Sequence, residues 1–322
     1  MREATRSRST RSRIGAPLVV AGLGSSLGGC SLLFGVDDLQ TGAATGGGGS
    51  STSTSQSSHG VTSTTANSSV ASTTGSAPAS SSSGGVPDPY RDAVLADGPV
   101  LYLRFEETAA DMLFDEVSQS AVGAYATSGV AIGAPGIQGA TGTAALFTGG
   151  RALVDDTASL DFVGTAPYTL EAWIDATPNA MTMDYYGRII AKEEFNGGAN
   201  RQGYNLLYER AMGDPNGSII TERWNVTGVG ANKTPFKMNE GSYHHVVSTF
   251  DGAVLRLYVD GAFVAQNSGI VPLLDLVDPV AIGSLPDTGS PFLGAIDEVA
   301  IYAKALGAPE IAKHFAIGST AP

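Results

Sequence analysis

The carboxylates and histidines of this 322-residue chain are the groups that could do chemistry, and their spacing narrows what that chemistry is. Glu171 and Asp175 lie four residues apart in the alternating segment Tyr168-Thr169-Leu170-Glu171-Ala172-Trp173-Ile174-Asp175. On a strand they share a face at about 13 Å by strand rise, whereas paired glycosidase carboxylates stand roughly 5–9.5 Å apart. They do not form a catalytic pair unless another strand supplies the second acid. Glu193 and Glu194 are adjacent, point to opposite faces of a strand, and read as solvated acids on an exposed edge. His244 and His245 are also adjacent, so a strand turns them to opposite sides and they cannot share one ion without a bulge. His59 lies in a Ser-rich stretch and His314 in a terminal helical segment. Neither a zinc set nor a Ser-His-Asp triad has support in this pattern. Tyr185, Tyr186, Tyr204, Tyr208 and Trp224 offer rings that could stack on sugar faces, although sheet packing is the commoner use of such residues.

The elements that must position these groups are strands. Period-two alternation recurs from residue 88 onward, with strands expected at 100–105, 144–148, 151–154, 168–175, 187–192, 203–209, 218–224, 242–250, 253–259, 262–267, 279–283 and 292–302. Turn signals separate them, among them Asn196-Gly197-Gly198, Asp214-Pro215-Asn216-Gly217, Asp251-Gly252 and Asp260-Gly261. The last two frame 254–259 as the middle of a three-strand meander. Only 308–316 has a helical pattern, with Pro309 early, Ile311 and Phe315 four apart, and Gly318 as a stop. The fold class is all-β: a two-sheet antiparallel sandwich with a short C-terminal helix, preceded by a disordered linker.

The N-terminal quarter has a different composition. Arg2, Arg6, Arg8, Arg11 and Arg13 precede a short apolar run from Ile14 to Leu27, the order of a secretory signal. The run is too short and glycine-rich to span a bilayer. Leu27-Gly28-Gly29-Cys30, ending on the sole cysteine, resembles the lipobox of bacterial lipoproteins. That resemblance implies cleavage before Cys30, lipid attachment to its thiol, and membrane anchoring, since several acyl chains on one residue hold stably. Ser31, in place of Asp, favours the outer membrane of a Gram-negative bacterium. Residues 1–29 are then the signal peptide, 30–40 the lipidated N-terminus, and 41–87 a Ser/Thr/Gly-rich linker. The linker cannot bury enough apolar surface to offset its chain entropy. As a flexible coil it reaches roughly 35–40 Å. Residues 88–318 form the folded domain and 319–322 a tail.

Charge excludes one class of partner. The chain carries a formal net charge of −13, and loss of residues 1–29, with five Arg and one Glu, takes the remainder to −17. Nucleic acid is not a partner for such a surface, and contact with an acidic membrane is through the lipid anchor only.

Five motifs in order resemble laminin-G-like, concanavalin A-like lectin/glucanase domains of the pentraxin-like jelly-roll type. They are Leu95-Ala96-Asp97-Gly98-Pro99-Val100-Leu101-Tyr102-Leu103-Arg104-Phe105, then Tyr168–Ile174, then Tyr243-His244-His245-Val246-Val247-Ser248-Thr249-Phe250-Asp251-Gly252, then Leu257-Tyr258-Val259-Asp260-Gly261, and finally Phe292-Leu293-Gly294-Ala295-Ile296-Asp297-Glu298-Val299-Ala300-Ile301-Tyr302. The resemblance implies a structural role for His245 and one structural Ca2+ near the joined chain ends, with Asp115 and Asp297 as metal ligands and Glu107 a weaker candidate. The other reading of Asp297 is a hydrogen-bond acceptor for loop amides. The Glu-x-Asp-x-x-Glu pattern of glycosidases on this fold is absent. The expectation is a surface-anchored, non-catalytic binding or adhesion module, carbohydrate-binding, with a polysaccharide or glycoprotein partner. The alternatives are a glycoside hydrolase or lyase, and a structural or protein-interaction domain of the envelope.

Overall fold

The computed structural model describes residues 87–320, apart from 127, 178–184, 196–200, 212–215, 236, 239–240, 270 and 288. Cys30, the signal segment and residues 41–86 of the linker lie outside the described residues.

Two antiparallel sheets face each other in a jelly roll. One contains β1 (Leu101–Leu103), β4 (Val130–Pro135), β5 (Thr143–Thr148), β7 (Tyr168–Ala176), β12 (His244–Phe250), β13 (Leu255–Val259), β14 (Ala262–Asn267) and β16 (Leu293–Tyr302). Its order is β14-β13-β12-β7-β16-β5-β4, with β1 also paired to β16. The other contains β2 (Leu113–Asp115), β3 (Ser120–Tyr125), β6 (Ala152–Val154), β8 (Tyr185–Phe195), β9 (Arg201–Arg210), β10 (Ser218–Asn225), β11 (Gly228–Lys233) and β15 (Val280–Ile282), in the order β11-β10-β9-β8-β15-β6-β3-β2. The meander is β12-β13-β14, and its second turn has positive φ at both Asp260 (51°) and Gly261 (73°), the hairpin geometry those residue types favour.

Alternation decides what each strand buries. Tyr168, Leu170, Ala172 and Ile174 of β7 enter the core between the sheets, with Leu103, Phe105, Phe147, Tyr204, Leu206, Phe250 and Ile296. Each large apolar side chain removed from water contributes about 1.5–3 kcal/mol. The opposite face of β7 is not solvated either. Helices α1 (Pro89–Ala96) and α2 (Ala308–Gly318) cover it, and Tyr90, Val94, Tyr102, Trp173, Val247, Tyr302, Leu306 and Ile311 pack there as a second core. Gly318 permits this close docking, since a Cβ there would lie 2.3 Å from the Trp173 ring.

The expected terminal helix is present as α2, and α1 is an addition. Its signals are an N-cap and an early proline: the Asp88 side chain accepts from the Arg91 N–H at 3.0 Å, and Pro89 begins the helix. Strands β2, β3, β4 and β11 are also additions. β2 is only three residues long, and β3, β4 and β11 are short and rich in Gly and Ala, so their apolar alternation is weak. Among the described residues no helix is long and apolar enough to cross a membrane.

Candidate functional site

Glu171 lies on the outer face of β7, buried beneath both helices. It accepts hydrogen bonds from the Tyr302 hydroxyl at 2.9 Å and the Tyr90 hydroxyl at 3.2 Å, and it pairs with His245 Nε2 at 2.7 Å and His314 Nδ1 at 3.0 Å. Burial alone would raise its carboxyl, but the His314 charge and the hydrogen bonds from the two histidines outweigh burial and hold it well below the usual range. His314 moves the other way: burial lowers it, and the charge and hydrogen bond of Glu171 more than reverse that. His314 Nε2 also meets Asp97 at 3.1 Å, at the end of α1. Glu171, His245 and His314 are sealed from solvent, Asp97 is partly exposed, and the cluster ties both helices to the sheet. His245 and His314 converge here from elements 69 positions apart, which local spacing cannot reveal. Register places His244 opposite Ile174 and His245 opposite Trp173, on opposite faces, and His244 pairs with Asp260 at 2.8 Å.

Asp115 and Asp297 have separate sets of partners. Asp115 ends β2 and accepts backbone N–H groups of Tyr102 (2.8 Å), Val117 (3.1 Å) and Ser118 (2.8 Å). Asp297 lies at a bulge in β16 and accepts the N–H groups of Ile137 (3.0 Å) and Glu298 (2.9 Å). Burial, which outweighs these amides, raises Asp297 from 3.8 to about 7. Glu298, raised first by burial and then by the Asp297 charge, touches the Tyr102 hydroxyl and faces Arg104 at 3.3 Å. Arg104 also holds Asp88 at 2.5 Å and Glu106 at 2.6 Å, so a guanidinium already supplies positive charge within this group of acids. Among the described residues no three His, Cys, Asp or Glu side chains are grouped to hold a metal ion. Asp115 and Asp297 accept from different backbone amides and share none of these hydrogen-bond partners. Glu107 is engaged by the Tyr125 hydroxyl and the Phe114 N–H, both at 2.8 Å.

A cleft of about 640 Å³ opens beside Arg104, and most of its acids serve local structure: Glu107 as above, and Glu116 on Arg91 at 2.9 Å. A smaller groove of about 260 Å³ has a different character. It lies on the outer face of the second sheet and is lined by Tyr186, Arg188, Arg201, Leu207, Glu222 and Leu285, with Ser290 at its rim. Register places these side chains together. Arg188 faces Leu207, Glu193 faces Gly203, and Glu222 faces Asn205 across β8, β9 and β10. The next residues along β9, namely Tyr204, Leu206 and Tyr208, point to the core instead.

The groove is wired by ion pairs. Arg188 Nε donates to Glu193 at 2.9 Å, and Arg201 Nε donates to the same carboxylate at 2.6 Å. Arg201 Nη2 donates to Glu222 at 2.8 Å, and Asn205 Nδ2 donates to it at 3.0 Å. The Arg201 guanidinium stacks 4.4 Å above the Trp224 ring. Only Tyr186 among the candidate rings stands well out, at 43% exposure; Tyr185, Tyr204 and Tyr208 are core. Glu193 is not a solvated edge acid. β8 is an interior strand, and the residue, 2% exposed, places its fully buried carboxylate as the counter-charge beneath two arginines. Gly203 lets the strands approach at this point, with φ +116° and Lys192 O only 1.9 Å from where a Cβ would sit. The arrangement presents fixed donors and acceptors on rigid strands, the geometry of a preorganised binding surface.

Comparison with known proteins agrees with the fold. Residues 148–312 match the model of the concanavalin A-like lectin/glucanases superfamily. The adhesion G-protein coupled receptor V1 of Danio rerio is 25% identical over 186 residues, 53% of this chain and 3% of that receptor's length. The binding domain of Paraclostridial Mosquitocidal Protein 1 superposes with a TM-score of 0.52 at 15% identity, covering 69% of this chain and 52% of that one. The botulinum neurotoxin serotype D binding domain gives 0.52 at 14%, covering 68% and 52%. At these identities the structural likeness is one of fold, and this chain spans about half the length of those two.

Proposed function

The chain belongs to the concanavalin A-like lectin/glucanases superfamily, and from that premise we propose that it is a non-catalytic binding module that recognises carbohydrate. The groove on β8, β9 and β10 carries this reading. Its guanidinium and carboxylate edges match the paired donors and acceptors of sugar hydroxyls, and Tyr186 offers a ring beside them. One observation favours a hydrolase as the second reading: Glu193 and Glu222 both contact Arg201 Nη2, at 2.5 and 2.8 Å, so two carboxylates are close together. The Glu193 side chain, however, is fully buried behind the guanidinium and has no approach to a glycosidic carbon.

In this reading residues 1–29 direct export, Cys30 carries the lipid, and 41–87 is the tether that lifts the domain from an outer-membrane surface. The test is a glycan array with the purified protein, run with calcium and again with chelator. Binding of a defined glycan class in both conditions is the expected result. Calcium-dependent binding would add a structural ion to the reading, and no binding by a folded protein would replace it with protein–protein adhesion. Release of reducing sugar from a bound glycan would turn it to the hydrolase. For the anchor, Cys30→Ser is expected to leave the precursor uncleaved and absent from the membrane fraction. Normal processing of that variant would remove the lipid from the account.

A further inference from the structure

We infer that the groove selects neutral glycan segments and rejects uronate, sialylated and sulfated ones, an inference that rests on the carbohydrate reading above. Its charges are already balanced. Arg188 and Arg201 bring two positive charges, Glu193 and Glu222 two negative, and each guanidinium is hydrogen-bonded to a carboxylate at 2.6–2.9 Å. The counter-charges are built into neighbouring strands: Glu193 is buried under both arginines, and Glu222 is held from behind by Asn205, itself fully buried.

An anionic sugar would have to take Arg201 from Glu222 or lie against that carboxylate, and like charges side by side in a partly desolvated groove are repulsive. The chain's net charge of −13 adds to the repulsion. A cationic sugar meets the two guanidinium groups. A neutral ring suffers neither penalty. Its vicinal hydroxyls, each donor and acceptor, can bridge the Arg201 N–H edge and the Glu222 carboxylate without unpairing them. Its apolar face can lie on Tyr186, with Leu207 and Leu285 completing the apolar lining. Glu222 is thereby the specificity-determining residue: it contacts the ligand and cancels the charge that would attract an anion.

The experiment compares wild type, Glu222→Gln and Tyr186→Ala on an array holding neutral, uronate, sialylated and sulfated glycans, followed by titration calorimetry of the best hits at low and high salt. Melting curves confirm that each variant is folded. Wild type is expected to bind neutral glycans only, with an affinity that changes less than twofold with salt. Tyr186→Ala, an exposed position, should lose tenfold or more. Glu222→Gln should weaken the neutral ligand and gain binding to a uronate glycan that fades with salt. Wild-type preference for an acidic glycan, or neutral binding untouched by Tyr186→Ala, overturns the inference while the carbohydrate reading survives. Absence of binding to any glycan overturns both.

Discussion

Glu171 shows how far a single residue can differ from its appearance in the sequence. Its spacing from Asp175 argues against an acid–base pair but shows nothing of its role; in the fold it links β7 to both helices through Tyr90 and His314, and to the neighbouring strands through His245 and Tyr302. Glu171→Ala leaves those donors buried without their acceptor and is expected to destabilise the protein by about 3–5 kcal/mol. Thermal melting reads this as a fall of roughly 10 °C. The titrating groups also set a pH profile. Asp297, raised to about 7, binds its proton more tightly when folded, so its contribution is complete below 3.8 and lost as pH climbs through about 7. His314 acts in the same direction, complete below 6.5 and lost as pH rises through its raised folded value. Glu171 is opposite, contributing above 4.5 and losing that contribution as pH falls. The melting temperature should therefore decline from about pH 5 to about pH 8. Asp297→Asn should flatten that decline, and an unchanged slope would mean the proton is not held there.

At the scale of elements, strong alternation was readable and weak alternation was not. The expected strand 218–224 is β10 at Ser218–Asn225, and 262–267 is β14 without a change of boundary. The segment Pro89–Ala96 escaped as a helix because eight residues give barely two turns of period, although Asp88-Pro89 and Asp97-Gly98 mark its ends. The groove was hidden for another reason. Arg188, Arg201 and Glu222 sit on three strands, and only their register makes them neighbours. Two substitutions separate the domain's two outer faces. Gly203→Ala forces a Cβ onto the β8 backbone beside Glu193, so both melting temperature and glycan affinity should fall. Ile311→Ala, in the second core under α2, should cost about 2–5 kcal/mol and leave glycan affinity within twofold. Loss of binding in the second variant with its fold intact would place the ligand elsewhere.

At the scale of the whole domain, the chain arrives on one face and the groove opens on the other. Among the described residues Asp88 is the first to be gripped, by Arg104 at 2.5 Å and the Thr141 hydroxyl at 3.1 Å, and α1 then lies across the outer face of the first sheet. The groove belongs to the outer face of the second sheet. That separation has a mechanical consequence. A pull between the arriving chain and a ligand held on β8–β10 loads Asp88 and α1 before any sheet ladder. The helix would peel first, adding about 3.3–3.6 Å of length for each residue freed. The strands that shape the groove would keep their hydrogen bonds, so the domain could yield under tension and still hold on.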